Sequence, residues 1–292
     1  LVQRLKDKLG NRSNSSSEVE FEEAMGIMVG EDGRGIPTII EMANHTRLDC
    51  IIGSAALMRQ ALVQAIHHAR HRSAFGRRLA EQPIMRAVLA DLALESEAAT
   101  LLMLRVAHAF DAPDDPLQRA WKRIVTPAAK FWICKRALEF TGECMEVWGG
   151  NGYVETGPMA RLYREAPVNS IWEGSGNVQC LDVLRALSKE PGVLDALFAE
   201  LGDGHGDARL KAHIQRLQAD FRDTADIQYR ARQLTEDMAV ALQAKLLLEA
   251  GNSLVSDAFI ASRLEGRGRV YGTLPRGVDV EALLARSTPH LA

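Results

Sequence analysis

The stretch Pro127-Ala-Ala-Lys-Phe-Trp-Ile-Cys-Lys-Arg-Ala-Leu-Glu-Phe-Thr-Gly-Glu-Cys-Met-Glu-Val-Trp148 decides the fold class of this chain. Its mainly apolar positions recur at steps of three and four, the spacing that places side chains on one face of an α-helix. This stripe contains Ala128, Phe131, Lys135, Leu138, Cys144, Met145 and Trp148. Similar stripes occur over 51–66, 88–106 and 178–187, with proline and glycine breaks between them. Four such stripes predict an antiparallel four-helix bundle over residues 46–188.

Residues 1–45 have a different pattern. Val19 and Phe21 alternate with glutamates, as in a strand with one buried face, and Gly30-Glu-Asp-Gly-Arg-Gly35 is a turn cluster. Pro37 suits the first turn of a short helix. Because one strand needs partner strands, we expect this segment to be the remnant of a β-domain whose other strands lie upstream, and the chain to be a fragment.

The remaining zones are connectors and a C-terminal extension. Ala112-Pro-Asp-Asp-Pro116 is a connector, and Gly149 to Ser175 is expected to be a long loop, a length typical of functional loops. Residues 189–292 show helical periodicity over 208–262 and end in a turn-rich tail. The expected fold is therefore all-α for most of the chain: a four-helix bundle, preceded by the last strands of a β-domain and followed by an extra helical domain.

Composition excludes several classes of protein. The 292 residues are 47% hydrophobic and 25% charged, with a net charge of −3, so a chain-wide electrostatic grip on nucleic acid is not expected. No apolar run approaches the roughly 18 residues of a membrane span. The four cysteines form no CxxC pair and no signal peptide opens the chain, which favours reduced thiols and a cytoplasmic location.

The densest chemical signal is Trp148-Gly-Gly-Asn-Gly-Tyr153 followed by Ile171-Trp-Glu-Gly-Ser-Gly-Asn177. Three glycines in four residues let the backbone approach a flat or anionic group. Glu173 follows Trp172, and a carboxylate desolvated by bulky apolar neighbours is a better proton acceptor near neutrality. The alternative is structural: the glycines form a helix C-cap and the glutamate is a capping carboxylate.

A second signal, Arg72-Ser-Ala-Phe-Gly76, ends the first long helix. An arginine that binds phosphate oxygens and a phenylalanine that stacks on a ring suit a dinucleotide cofactor. The alternative is an exposed helix end whose basic residues favour the helix dipole.

In this order the three motifs resemble the C-terminal half of the acyl-CoA dehydrogenases. Within that family the resemblance is closest to the AidB-like branch, named for an adaptive-response protein linked to DNA alkylation. Gln3-Arg-Leu-Lys-Asp-Lys-Leu-Gly-Asn-Arg-Ser13 and the run from Leu162 to Asn177 carry this closer likeness. The resemblance is strong over residues 1–188 and weaker over the remainder, which is similar to the extra helical domain of that branch.

The resemblance implies FAD as the cofactor and an acyl-CoA as the substrate. Glu173 falls on the position of the catalytic base, which removes the α-proton while the β-hydrogen leaves as hydride to the flavin. The positions implied to contact FAD are Arg72 and Phe75, typically across a subunit interface, with Gly149, Gly150, Gly152, Ser175 and Asn177. Arg47 and Trp172 are implied to face the substrate. A contact across subunits implies a homo-oligomer, a dimer or tetramer, and the reaction needs an electron acceptor.

The chain departs from the family pattern at two of these places. Glu146 stands where the family usually has glutamine near the adenine half of FAD, and Trp172 replaces a commoner tyrosine, which narrows the expected acyl pocket.

Two other clusters of side chains carry weaker signals. His67 and His71 have the i, i+4 spacing of a metal pair, but without a nearby carboxylate or cysteine a polar helix face is favoured and no metal site is predicted. Arg263, Arg267, Arg269 and Arg276 form a basic patch that could contact phosphates, against the alternative of a solvated loop. No dinucleotide-binding or P-loop glycine pattern is present.

Three functions follow. The first is an FAD-dependent acyl-CoA dehydrogenase with Glu173 as its base. The second is an AidB-like flavoprotein that binds or protects DNA, with weak or vestigial dehydrogenase activity. The third is a cofactor-free helical interaction module. The net negative charge favours the first function over the second.

Overall fold

The fold is described from a computed structural model, which covers residues 1–265, 271 and 273–289. Its helices are α1 (Gly35–His71), α2 (Pro83–Phe110), α3 (Pro116–Val147), α4 (Gly150–Tyr153), α5 (Pro158–Asn169), α6 (Gly176–Lys189), α7 (Val193–Leu201), α8 (Ala208–Arg222), α9 (Ile227–Glu249), α10 (Ser253–Arg263) and α11 (Val280–Ser287). The strands form two antiparallel pairs, β1 (Val2–Leu5) with β2 (Ser17–Val19) and β3 (Ser73–Ala74) with β4 (Arg77–Arg78).

The predicted four-helix bundle is confirmed. Helices α1, α2 and α3 pack on one another, and α6 packs on α3. The apolar stripes of these helices face inward, because burying them removes about 25 cal/mol of unfavourable hydration per Å² of apolar surface. The largest fully buried side chains include Met58, Leu62, Leu92, Leu102, Trp121, Ile124 and Phe140. All four cysteines are free and buried.

Local chemistry sets where α3 begins. The Asp115 carboxylate accepts hydrogen bonds from the backbone N–H groups of Leu117 (2.8 Å) and Gln118, two donors that have no partner inside the helix. Pro116 occupies the first helical position, where a missing N–H costs nothing. The expected connector therefore ends where α3 begins. Pro127 lies inside α3, which continues past it to Val147.

Three expectations about helices are wrong. Pro37 lies in the first turn of the 37-residue α1, not of a short helix. The stretch from Gly149 to Ser175 is not one long loop, because it contains α4 and α5. Pro158 starts α5, whose inner face buries Met159, Leu162 and Ala166 at helical spacing.

The C-terminal tail is not all turns either, because it contains α11. The Asp279 carboxylate caps this helix by accepting a hydrogen bond from the N–H of Ala282 at 3.0 Å.

The N-terminal strand lacks the buried face that the alternation predicts. Strand β2 ends at Val19, and its three residues are all exposed. Phe21 lies outside the strand and is 83% exposed. The pair β1 and β2 forms one two-stranded sheet, which does not cover an apolar face by itself.

The helices after Lys189 pack back on the bundle through α9, which contacts α2, α3 and α6, and through α11, which contacts α2. Asp207 starts α8 by accepting from the N–H groups of Arg209 (2.8 Å) and Leu210 (3.1 Å). The predicted helical periodicity over 208–262 corresponds to α8, α9 and α10.

A buried charge cluster joins α10 to the bundle. Glu95 is 1% exposed and accepts hydrogen bonds from Arg136 at 3.2 Å and from Arg263 at 3.0 Å. Burial alone raises the pKa of Glu95, but the two guanidinium groups outweigh burial and hold this pKa below its ordinary value. Arg263 also donates to Asp91 at 2.6 Å.

The sequence suggested that Arg263 belongs to a phosphate-binding patch or to a solvated loop. Both expectations are wrong for this residue, because its guanidinium is buried against two carboxylates. Arg276 is exposed. Arg267 and Arg269 lie outside the described residues.

We expect Glu95→Gln to lower the free energy of unfolding by about 3–5 kcal/mol at pH 7, because it leaves two buried guanidinium groups without their shared carboxylate. A group with a depressed pKa stabilises the fold above its unfolded pKa and loses this effect as pH falls. The difference from wild type should thus shrink below about pH 4 in urea unfolding. Glu97→Gln is the control, because Glu97 pairs with the more exposed Arg286 and should cost about 1 kcal/mol or less. Equal losses in the two variants would contradict the analysis.

Candidate functional site

The site is built around a tight turn between α5 and α6. Glu173 has a φ of 57° and Gly174 a φ of 105°, so two consecutive residues lie in the left-handed region. Such a conformation costs about 1–3 kcal/mol for a residue other than glycine and persists only where neighbouring groups hold it. A side chain at Gly174 would also collide with Gln179, since an added Cβ would lie 2.5 Å from its Nε2.

Side chains from three helices hold this turn by its carbonyl groups. Lys130 of α3 donates from Nζ to the carbonyl oxygens of Trp172 and Gly174, both at 2.8 Å. Arg47 of α1 donates from Nε to the carbonyl of Glu173 at 3.2 Å. Gln179 of α6 donates from Nε2 to the carbonyls of Glu173 and Gly174, both at 3.0 Å. We call Lys130, Arg47 and Gln179 the carbonyl clamp.

The clamp leaves the Glu173 side chain available. Glu173 is half-buried, and its carboxylate forms no hydrogen bond or ion pair with the residues that the structure describes. The expected apolar neighbours are less enclosing than the sequence suggests, because Trp172 is 38% exposed and Ile171 is exposed. The expectation that Glu173 caps α6 is not supported, since Ser175 occupies the N-cap position.

An apolar cavity of about 400 Å³ adjoins the turn. It lies between α1 and α5, and Trp172 forms part of its wall together with Gly53, Leu57 and Val168. The exposed surface of the cavity is mostly apolar, and Asn11, Gln60, Glu165 and Asn169 add polar groups to its wall. Its volume falls in the size range of small-molecule sites.

Arg47 links the turn to α6 through charge. Besides its bond to the Glu173 carbonyl, Arg47 donates from Nη1 to Asp182 at 2.8 Å. Asp182 also accepts from Arg123 at 3.1 Å, and Arg123 pairs with Glu190 at 2.7 Å. Burial lowers the pKa of Arg123, but Asp182 and Glu190 outweigh burial and raise it. Arg47 thus holds the backbone of the turn.

Neutral thiols surround the buried end of Lys130. Burial raises the pKa of Cys134 to about 12 and that of Cys50 above its ordinary value, so both are protonated at neutral pH. Ser54 donates to the Cys134 sulfur at 3.3 Å.

Arg72 and Phe75 lie at the far end of α1. Phe75 and Gly76 connect β3 to β4 with φ values of 54° and 82°, and two positive values are typical of a type I′ hairpin turn. Phenylalanine is unusual in this conformation, and Phe75 is 97% exposed. Arg72 is exposed and forms no ion pair within the described chain. Both side chains are therefore free to contact another molecule.

The three glycines of the 149–152 loop differ in their structural role. Gly149 ends α3 with a φ of 60°, as the C-cap interpretation requires. Gly152 is needed for packing, since an added Cβ would lie 2.2 Å from the Met145 carbonyl oxygen. An added Cβ at Gly149 or at Gly150 would meet nothing within 4 Å, so both glycines present an open backbone face.

The structure brings this loop to the same end of the bundle as Arg72. The Trp148 indole donates to the Gln64 carbonyl at 3.1 Å and stacks on the His68 ring at 4.7 Å. Burial lowers the pKa of His68, and Arg72 lowers it further. The rings of His67 and His71 lie 4.4 Å apart, and no metal-binding cluster occurs among the described residues.

Ser175 and Asn177 begin α6, next to the turn. The Ser175 side chain is exposed and makes no capping bond. Asn177 accepts from Arg232 of α9 at 2.8 Å, and the Arg232 guanidinium lies 5.2 Å from the Phe131 ring. Sequence reasoning missed Arg232, Lys130 and Gln179. The signal for Lys130 was its position as the one charged residue in the apolar run 127–134, whereas the sequence contains no signal for Arg232.

The described helices include none that is both long enough and apolar enough to cross a membrane. The acyl-CoA dehydrogenase C-terminal domain model matches residues 33–188. AidB of Escherichia coli, named as an acyl-CoA dehydrogenase, is 46% identical over 92% of this chain and 50% of its own length. The chain spans about half the length of the curated relatives it matches.

Solved structures agree on the fold. Caenorhabditis elegans ACDH-11, solved with a bound acyl-CoA, is 26% identical, with a TM-score of 0.82 over 98% of this chain and 49% of its own. A Bacillus anthracis acyl-CoA dehydrogenase complexed with FAD is 17% identical and shares the fold, with a TM-score of 0.66 over 98% of this chain and 54% of its own. The family match covers more than half of the chain and lies on the bundle that carries the clamped turn. The chain belongs to the acyl-CoA dehydrogenase family.

Proposed function

We propose that the protein catalyses FAD-dependent dehydrogenation of an acyl-CoA thioester, with Glu173 as the catalytic base. The observation that carries this proposal is an unpaired, half-buried carboxylate on a turn fixed by three helices. The adjoining apolar cavity walled by Trp172 suits an acyl chain. The bound acyl-CoA of the C. elegans relative supports the substrate class.

The chemistry divides between protein and cofactor. The Glu173 carboxylate takes the α-proton of the thioester, which the carbonyl makes acidic, and the electron pair of that C–H bond forms the α,β double bond. FAD, when bound, supplies the acceptor for the β-hydrogen and its electron pair. The chain's own contribution is to hold the base at a fixed point, where positioning converts an encounter into a unimolecular step.

The residues at the other end of the bundle fit the ADP half of FAD. Gly150 offers an open backbone face, Phe75 an exposed ring and Arg72 an unpaired guanidinium that can bind phosphate oxygens. Ser175 lies beside the Glu173 turn instead, where the start of α6 presents N–H groups to an anion. FAD in the B. anthracis relative supports the choice of cofactor.

The length of α1 supports a homo-oligomer. Arg47 and Arg72 are separated by 25 positions along or just after α1, a distance of about 37 Å at 1.5 Å per residue. We infer from this separation that the two ends serve two different FAD molecules and that a second copy of the chain completes each FAD site.

DNA binding of the AidB type is the second candidate, favoured by the 46% identity to AidB. The burial of Arg263 removes one of the four arginines that the sequence offered for phosphate contact. We expect titration of duplex DNA at two salt concentrations to give weak binding with a shallow salt dependence, because few phosphates would be neutralised. Tight binding with a steep salt slope would favour the DNA function instead.

For catalysis, we expect Glu173→Gln in the intact protein to retain FAD and to slow flavin reduction by acyl-CoA by about 10²–10⁴-fold, because the amide does not accept the α-proton. Stopped-flow absorbance of the flavin measures this rate. Glu155→Gln is the control, since Glu155 is an exposed carboxylate that pairs with Arg164 and does not line the cavity, and this variant should leave the rate unchanged. A normal rate in Glu173→Gln assigns the base elsewhere.

For cofactor binding, Phe75→Asn separates stability from affinity. Asparagine before Gly76 suits a type I′ turn, so the free energy of unfolding without FAD should rise by about 1 kcal/mol. Loss of the exposed ring should weaken FAD binding about tenfold, as equilibrium dialysis would measure. His205→Asn relieves a similar φ of 54° in another loop and should leave FAD affinity intact. Unchanged FAD affinity in Phe75→Asn would remove Phe75 from the cofactor site.

A further inference from the structure

Lys130 is a buried cation whose role the dehydrogenation chemistry does not explain. Its side chain is 1% exposed in the middle of α3 and forms no ion pair within the described part of the chain. An ammonium group taken out of water without compensation costs several kcal/mol. A methionine of similar length would fill the same space without this cost. Packing alone therefore does not explain why a lysine occupies this position.

The two acceptors of Lys130 bracket one residue. The carbonyl oxygens of Trp172 and Gly174 lie 2.8 Å from Nζ, and the residue between them is Glu173. Fixing the carbonyls on both sides fixes the two peptide planes that flank Glu173, and with them the direction of its side chain. Glu173 has a φ of 57°, which glutamate does not favour, so the turn would relax if these bonds were lost.

The charges around Lys130 agree with this geometry. Burial is the main cause that lowers the pKa of Lys130 below its ordinary value, and Arg47 lowers it further, whereas Cys134, Cys50 and the Glu173 carboxylate raise it. The thiols of Cys50 and Cys134 are neutral, as described above. The Glu173 carboxylate therefore offsets only part of the cost of burying the ammonium group, and the two hydrogen bonds to the flanking carbonyls hold Lys130 in place.

We propose that Lys130 is the positioning residue for Glu173. Its ammonium group holds the backbone on both sides of the base and supplies a nearby positive charge, without contact with substrate or cofactor. This inference rests on the proposed function, because it assigns the clamp a purpose only where Glu173 acts on a substrate.

The test is Lys130→Met in the intact protein, compared with Glu173→Gln and wild type. Butyryl-CoA and decanoyl-CoA serve as probes in single-turnover flavin reduction. We expect the limiting rate to fall about 100-fold, the loss typical of a base displaced by about 1 Å. The acyl-CoA concentration for half-maximal rate should stay within about twofold and FAD content should not change, because Lys130 touches neither molecule.

Lys122→Met is the matched control, since it removes an ammonium group from the same helix. The Lys122 Nζ lies 4.4 Å from the Phe110 ring centre, away from the turn. If Lys122→Met loses as much thermal stability as Lys130→Met but keeps a normal limiting rate, the slow rate of Lys130→Met comes from the position of Glu173 and not from general destabilisation. Should Lys130→Met not fold, Gln179→Leu removes the amide donor of the clamp, which binds the carbonyls of Glu173 and Gly174, and should slow the same step by about tenfold.

The outcomes distinguish the two proposals. A slow Glu173→Gln with a normal Lys130→Met overturns the role of Lys130 and leaves the proposed function intact. A normal Glu173→Gln overturns the proposed function itself. A Lys130→Met variant that loses FAD or substrate affinity, with an unchanged limiting rate on the bound fraction, makes the lysine structural and also overturns the inference.

Discussion

Everything that we attribute to this protein depends on the backbone of three residues, Trp172 to Gly174, staying in a conformation that the free chain would avoid. Two consecutive positive φ angles turn the chain sharply between α5 and α6. The energy that holds them comes from elsewhere: a buried ammonium group, a guanidinium group and an amide, each on a different helix. Strain at one residue is thereby offset by hydrogen bonds from the rigid bundle.

This arrangement explains why the bundle is needed for the chemistry. A side chain on a mobile loop cannot hold a base within the narrow range that proton transfer requires. Here α1, α3 and α6 each contribute one donor to the same short segment, so their packing determines the position of Glu173, the proposed base. The packed apolar stripes keep these helices rigid. The carbonyl clamp between them fixes the orientation of the backbone around Glu173.

Helix α1 also connects the two ends of the bundle for which we propose functions. Its first half carries Arg47 beside the turn, and its last turns carry His68 under Trp148 and lead to Arg72. The exposed hairpin at Phe75 and the open face of Gly150 lie at that second end. In the oligomer that we propose, the length of α1 places the catalytic turn and the cofactor-binding hairpin of one chain in the sites of two different FAD molecules.

Sequence reasoning found the features that depend on local pattern and missed those that depend on tertiary contacts. Apolar spacing predicted the bundle, and the order of three motifs identified the family. Helix α5 was missed because Pro158 and Pro167 suggest breaks, although Met159 and Leu162 already had helical spacing. Lys130 contacts carbonyls more than forty positions away, and only the packing of α3 beside α6 brings them together. Arg263 was expected to be exposed for the same reason, since Glu95 lies far from it in sequence.

The most direct measurement is a crystal structure of the intact protein with FAD and a non-reactive acyl-CoA analogue. The account predicts a Glu173 carboxylate oxygen about 3–3.5 Å from the α-carbon of the thioester, with Lys130 still bound to the two flanking carbonyls. A carboxylate turned toward bulk water, away from the flavin and the acyl chain, would contradict it.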